Sequence, residues 1–503
     1  MKTISLIIIV ALLYLSVPAQ RAENYVRYVN PLIGTQRMGH TFPGATVPFG
    51  SVQLSPDTDQ QPHNIGGKYN KDTYKYCAGY QYDDTEIVGF SHTHFSGTGH
   101  SDLGDFLVMP TVGPLQLEPG AKGDPKSGFR SAFSHANETA EAGYYKVKLD
   151  DDNILAEMTA STRVGMHQYT FPNASSDAHI ILDLMHGIYN YEDKNVWTFA
   201  RVENDHTIVG YRQTNGWART RTVYFAMEFS KPFKSYGFRE FGKQDYKGFW
   251  RKFDQTKNFP EMAGKQIRAH FDFDTKGNEK IQVKFAISPV STDGARANLK
   301  AEIPHWDFQR VKAEAQAAWN KELSKVQITA NSEGEMTNFY TALYHAMLSP
   351  TVYMDADGRY KGLDQNIHQA QTRASASSST QRSAFVNYTT FSLWDTYRAL
   401  HPLLNIIQPA RNRDMVRSMQ AHYDQSVHKM LPVWSHYANE NWCMIGYHSV
   451  SVVADAIVSG NLTGAEANKA LDASVQTAKT KYYDGLEYYM SLGYVPEDKN
   501  SSS

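Results

Sequence analysis

Glu279-Lys-Ile-Gln-Val-Lys-Phe-Ala-Ile-Ser288 is followed closely by Pro304-His-Trp-Asp-Phe-Gln-Arg-Val-Lys-Ala-Glu-Ala-Gln-Ala-Ala-Trp-Asn-Lys-Glu-Leu323, and the two stretches have different periods. In the first, Ile281, Val283, Phe285 and Ile287 alternate with other residues, the period of a strand with one buried face. In the second, Pro304 stands where a helix can begin, and Phe308, Val311, Ala315, Trp319 and Leu323 fall near one helical face. The change of period at about residue 304 divides the chain.

Upstream, Phe225, Met227 and Phe229 repeat the alternation, and His179-Ile-Ile-Leu-Asp-Leu184 reads as a more deeply buried strand. Turn signals such as Asp124-Pro125 and Asn204-Asp205 separate the runs. Many short strands with frequent turns predict an antiparallel β-sandwich over residues 23–300. Residues 301–330 read as a linker helix. Downstream, Phe339, Leu343, Ala346 and Met347 form a helical stripe stopped by Pro350. Leu393–His401, Ala410–Ser426, Ile445–Val458 and Ala465–Ala478 are further helix candidates, with a Ser/Thr-rich loop over Ala374–Ser383. The fold class is therefore β + α multidomain, with a mainly helical domain over 331–503. A sandwich followed by a helical toroid is a plan used by several glycosidase groups, which is analogy at the level of fold.

The composition suits a water-soluble globular protein: 503 residues, 41% apolar and 20% charged. With 50 basic and 52 acidic side chains, it lacks the basic footprint of a nucleic-acid binder or a polybasic membrane-surface protein. A small or uncharged partner remains. Residues 1–22 read as a secretory signal, with Lys2 before the apolar run Ile4–Val17 and small residues at Ala19 and Ala22. That run is shorter than the roughly 20 residues of a membrane span, and no other segment approaches one. No Cys precedes Cys77, which excludes a lipid-anchor Cys at the signal junction. The expected location is secreted or periplasmic. Cys77 and Cys443 form no CxxC pair, and export permits a disulfide between them without requiring it.

Four segments carry chemistry. Gly39-His-Thr-Phe-Pro-Gly-Ala-Thr-Val-Pro-Phe-Gly50 reads as an ordered loop, either a packed connection or a rim presenting His40. In Gly89-Phe-Ser-His-Thr-His-Phe-Ser-Gly-Thr-Gly-His100, His92 and His94 share one face of a strand. With His100, Asp102 and Asp105 they suggest a metal site, a polar surface facing sugar hydroxyls, which the pattern favours, or a purely structural loop. Trp394-Asp395 pairs an indole face for ring C–H groups with a carboxylate for two hydroxyls, although Asp395 also suits helix capping. In the Trp-rich stretch Met430–His448, Glu440 reads as a general acid, a calcium ligand or a sugar partner, with a solvated loop carboxylate as the plain alternative. His448 and Asp455 fall on one helical face.

Together these segments resemble glycoside hydrolase family 92, the exo-acting α-mannosidases. The resemblance runs through Tyr28-Val-Asn-Pro-Leu-Ile-Gly-Thr35, Pro43-Gly-Ala45, Pro48-Phe-Gly50, Phe90–Gly99, Trp394-Asp-Thr396 and Leu431–Asp455, in order and spacing. It implies a sandwich and an (α/α)6 barrel with the active site between them. It also implies calcium-dependent, inverting removal of α-linked mannose from N-glycans or mannans. Trp394 and Asp395 match the family's mannose-binding pair; Glu440, His448, His92 and His94 match strongly patterned segments and are carried as substrate-binding candidates. The family's general acid, its base and its calcium-binding carboxylates fall in the later part of the barrel, and no counterpart is found before Ser503. Six helical hairpins need about twelve helices, and roughly six or seven fit in the helical part at about 11–12 residues each. The expectation is thus a sandwich plus a partial barrel, inactive alone and with exposed apolar helix faces. The alternatives are a non-catalytic carbohydrate-binding protein or another sandwich-plus-barrel glycosidase.

Overall fold

The computed structural model describes residues 23–191, 193–242, 257–370, 385–481 and 485–499. The signal expected over 1–22 and the loop expected over 374–383 lie outside the described residues.

The N-terminal part is built on two antiparallel sheets. One has six strands, in the order Ser55–Asp57, Gly89–Ser91, Leu107–Val112, Ser175–Asp183, Ile267–Thr275, Ser235–Glu240. The other has nine, in the order Glu261–Gly264, Asn195–Asn204, Thr207–Thr214, Arg221–Phe229, Glu279–Ser288, Val164–Phe171, Ile154–Ala160, Tyr144–Leu149, Glu138–Glu141. The alternating residues fill the space between them. Phe285 pairs across the ladder with Met227 and Ile287 with Phe225, and all four lie in one core with Ile180, Leu182, Phe271 and Phe273 from the six-stranded sheet.

The other face of the nine-stranded sheet is also covered. Val164, Met166, Val209, Ala226 and Ala286 pack beneath Ala295, Leu299, Ile303, Phe308 and Val311. Those residues belong to helices α1 (Thr292–Glu302) and α2 (Phe308–Leu323) or the link between them. The helical part thus begins ahead of the change of period at 304. The reason is α1 itself: its buried face holds Gly294, Ala295, Asn298 and Leu299, too little apolar surface to make a stripe. Ser291 caps it by accepting from the Gly294 N–H at 3.0 Å.

On α2, Phe308, Val311, Ala315, Trp319 and Leu323 are all buried. Trp319 joins the two parts of the molecule. Its Nε1–H donates to the Thr46 carbonyl at 2.6 Å, and its ring lies 4.4 Å from that of Tyr344 on α3 (Glu333–His345). The Gly39–Gly50 segment is a packed connection: Phe42, Ala45 and Phe49 are buried, and the Phe49 N–H donates to the Met347 carbonyl at 2.8 Å. The N-terminal Tyr25, Val26 and Tyr28 belong to the helical core rather than to the sandwich.

The helix expected over Leu393–His401 is split into α4 (Leu393–Thr396) and α5 (Leu400–Ile407). Pro402 supplies the reason, because its ring would strike the Arg398 carbonyl in a continuous helix. Helices α6 (Pro409–Gln425), α7 (Ser449–Val458), α8 (Gly464–Ala478) and α9 (Leu486–Leu492) follow. Met415, Val416 and Met419 of α6 pack with Val452, Val453 and Ala456 of α7 and with Ala470 and Ala473 of α8.

Candidate functional site

A small three-stranded sheet ties the helical domain to the sandwich. Phe391–Ser392 pairs with Trp434–His436, which pairs with Asn439–Glu440. Trp434, Tyr437 and Ala438 are buried in the sandwich's own core cluster. The Trp434 ring stands edge-on to Trp217 at 4.7 Å and to Phe95 at 6.0 Å. His100 stacks on Trp217 at 4.1 Å. The seam between the domains is therefore aromatic, and both domains contribute to it.

Beneath the aromatic seam lies a buried ionic layer. Arg221 grips Asp105 with two hydrogen bonds of 2.6 and 2.7 Å and lies over the Tyr437 ring at 4.9 Å. Asp102 pairs with Lys194 at 3.1 Å and accepts from the Trp217 N–H at 3.1 Å. Burial pulls the Lys194 ammonium down to about 8 against the pull of Asp102. Asp102 and Asp105 thus face built-in cations, and the metal site considered over Gly89–Asp105 does not form.

Two of the expected sugar contacts are corrected here. His92 is buried, with Nδ1 2.7 Å from the Phe106 carbonyl, Nε2 3.0 Å from His167 Nε2, and its ring stacked on Phe285 at 4.0 Å. His94 is buried against the Gln53 carbonyl at 2.7 Å and Asp57 at 2.9 Å. Both rings are buried and engaged by protein partners, so neither presents a polar face to a sugar. The strand ends at Ser91, so the alternation expected for His92 and His94 does not reach them, and each ring is buried by its own long-range partners.

Glu440 is the third correction. Its Oε1 accepts from the N–H groups of Trp434 at 2.8 Å and Trp442 at 3.0 Å, and its Oε2 from Val433 at 2.9 Å. The carboxyl staples its own Trp-rich loop, which leaves little capacity for a ligand. Burial pushes its pKa up, opposed by those backbone donors.

The remaining candidates come together. On α4, Trp394 is half-buried and Asp395 is exposed. Ser392 Oγ donates to Asp395 Oδ2 at 2.5 Å. The Arg398 guanidinium lies over the Trp394 indole at 4.5 Å and donates to the Trp394 carbonyl at 2.9 Å. Tyr397 stacks on His448 at 4.4 Å, nearly parallel at 12°. His448 Nε2 finds no partner among the described residues. Burial, with Arg398 assisting, lowers the His448 pKa, so the ring is neutral near pH 7. Cys443 adjoins this group, near enough to Asp395 and Glu440 for their charges to raise its pKa beyond what burial does. Tyr397 and Arg398 were not singled out from sequence, although the i,i+4 spacing of Trp394 and Arg398 on a helix carried the signal. Asp455, paired in the sequence reading with His448, instead accepts from Asn405 Nδ2 at 2.6 Å.

These residues do not fit a calcium ion. Calcium takes six to eight oxygen ligands, whereas Asp395 stands as a lone exposed carboxylate and Glu440 is spent on backbone N–H groups.

Comparison with known proteins places this arrangement. Residues 28–288 match the glycosyl hydrolase family 92 N-terminal domain, and residues 294–503 match the glycosyl hydrolase family 92 catalytic domain. The chain belongs to glycosyl hydrolase family 92. A family GH92 alpha-mannosidase of Bacteroides thetaiotaomicron, solved with mannoimidazole, is 44% identical with a TM-score of 0.84, over 95% of this chain and 58% of that one. A GH92 inverting mannosidase from Bacteroides thetaiotaomicron VPI-5482 is 26% identical with a TM-score of 0.75, over 94% of this chain and 59% of that one. An uncharacterized secreted glycosidase of Arthroderma benhamiae is 25% identical over 366 residues, 67% of this chain and 43% of that protein. The chain therefore spans less than two thirds of the length of each of these relatives.

Proposed function

We propose that this chain carries the mannose-holding part of an exported exo-α-mannosidase that acts by inversion on N-glycans or mannans. The observation that carries the reading is the Trp394-Asp395 pair, presented on a four-residue helix at the seam and steadied by Arg398. One indole face rests on the guanidinium, and the other is the face offered to the C–H groups of a pyranose ring. Asp395, on the exposed side, accepts from sugar hydroxyls, and neutral His448 offers a ring nitrogen to a third. The near-neutral charge of the chain suits an uncharged sugar. The secreted description of the fungal relative and the sequence of residues 1–22 support export. Among the described residues no helix is long and apolar enough to cross a membrane.

Inversion needs a carboxylic acid to protonate the leaving oxygen and a carboxylate to take a proton from the attacking water, typically about 6.5–9.5 Å apart. The described seam carboxylates do not make such a pair: Asp102 and Asp105 are held by cations, and Glu440 by its loop. The described residues therefore hold substrate and leave proton transfer to other groups. The same observation favours a second reading, carbohydrate binding without turnover by this chain. Titration with mannoimidazole and mannobiose tests both. Binding weakened at least tenfold by Trp394→Ala and by Asp395→Asn is the expected result. Equal affinity in all three proteins, or no binding at millimolar sugar, overturns the assignment.

A further inference from the structure

A second cluster lies on the six-stranded sheet, on the face opposite the sandwich core. Ile180, Leu182, Phe271 and Phe273 of two neighbouring strands point into the core. The alternate residues His179, His270 and Asp272 share the other face, with side chains only 10, 12 and 14% exposed. The antiparallel register sets His179 directly opposite Asp272 and Ile181 opposite His270, which brings both imidazoles to one carboxylate. Asp272 Oδ1 is 2.7 Å from His179 Nδ1 and 2.9 Å from His270 Nδ1, and each of the three side chains offers a ligand atom within 4.8 Å of those of the other two.

The hydrogen bonding of this cluster contains a conflict. His179 Nε2 is 2.9 Å from the Gly113 carbonyl oxygen, which only accepts, so Nε2 carries a proton. A neutral His179 then has a bare lone pair at Nδ1, aimed at a carboxylate oxygen 2.7 Å away. Two acceptors at that separation need a cation, either a second proton or a metal ion.

We propose that His179, His270 and Asp272 bind a divalent transition-metal ion of the zinc class. Two imidazole nitrogens and one carboxylate oxygen form the mixed N/O donor set that such ions take, unlike the all-oxygen set of calcium. Bonds of about 2.0–2.2 Å in a tetrahedron place neighbouring ligand atoms about 3.3–3.6 Å apart, so an ion would spread the two contacts, now 2.7 and 2.9 Å, by about half an ångström. The outer atoms are already fixed in the manner of metal sites. Gly113 orients His179 from behind, and Ser235 Oγ donates to Asp272 Oδ2 at 2.6 Å. Gly237 stands opposite His270 on the edge strand Ser235–Glu240 and puts no side chain beside it. The ion would clamp adjacent strands of the sheet. The site rests on none of the seam residues.

Zinc chloride titrated into the untagged, chelator-treated protein tests the proposal. One equivalent should bind and raise Tm, with affinity at least tenfold weaker in Asp272→Asn and in His270→Gln. Equal uptake and equal Tm shifts in wild type and both variants overturn it. So does the absence of uptake, because the shared cation is then a proton. A second measurement needs no variant. Cobalt(II) added to the wild-type protein should develop visible bands of a bound N/O site that zinc removes and calcium does not. A spectrum that stays that of aqueous cobalt counts against the proposal.

Discussion

At the residue scale, the same side chain type does opposite work according to what surrounds it. Asp395 is exposed and Glu440 enclosed, and their substitutions should separate accordingly. Asp395→Asn should weaken sugar binding with Tm unchanged. Glu440→Ala leaves three partly buried N–H groups without acceptors, and each such loss costs up to about 1–3 kcal/mol. Its Tm should fall by several degrees in differential scanning calorimetry. An unchanged Tm with lost sugar binding would make Glu440 a binding residue instead. Sequence grouped these carboxylates because both lie beside Trp. It could not distinguish them, because the donors that engage Glu440 are backbone groups set by a turn between two short strands. His92 and His94 show the same limit: their alternation reads as a strand face, whereas the strand stops at Ser91 and distant partners bury each ring.

At the element scale, α1 and α2 lock the helical part to the sandwich. Trp319→Ala removes a buried indole, its bond to Thr46 and its contact with Tyr344. The loss should be about 3–5 kcal/mol by denaturant melts. The docking of α1 has a pH signature. Asp355 accepts from Asn298 Nδ2 on α1 and from Ser288 Oγ, both at 2.8 Å. Burial raises its pKa from 3.8 to about 6, against those two donors. The folded state therefore holds the proton more tightly than the unfolded chain. That contribution is complete below about pH 4 and is lost as pH rises through about 6. Across that window Asp355→Asn should gain on wild type by about 2–3 kcal/mol. A difference between the two proteins that stays constant from pH 4 to 7 would contradict this. The strands and helices of these elements were legible because their periods are long and regular. α1 was not, because Gly, Ala and Asn make no stripe.

At the scale of the whole molecule, Cys77 and Cys443 are separate thiols, the first buried and the second half-buried. Burial pushes the Cys77 thiol up to about 11. Thiol titration in denaturant without reductant should count two per chain; none would mean a disulfide. The helical domain leaves Ile406 80%, Val427 88% and Val458 87% exposed, with Leu471, Tyr489, Met490 and Leu492 also open to solvent. Apolar surface of this kind favours association. The 503-residue chain should sediment as a concentration-dependent mixture, and a monodisperse monomer at high concentration would contradict that. It should also release little or no mannose from α-mannosides. Turnover at rates typical of glycosidases would overturn the assignment of its seam residues to binding alone.

The sequence by itself determined the two-part plan and the family, because period and local motif are properties of neighbouring residues. Tertiary structure alone decided what the histidines do. Whether His92 faces core or solvent depends on a strand far away in the chain, as does the meeting of His179 with His270 and Asp272. Those encounters are fixed by the register of long-range strand pairing, which no local pattern records.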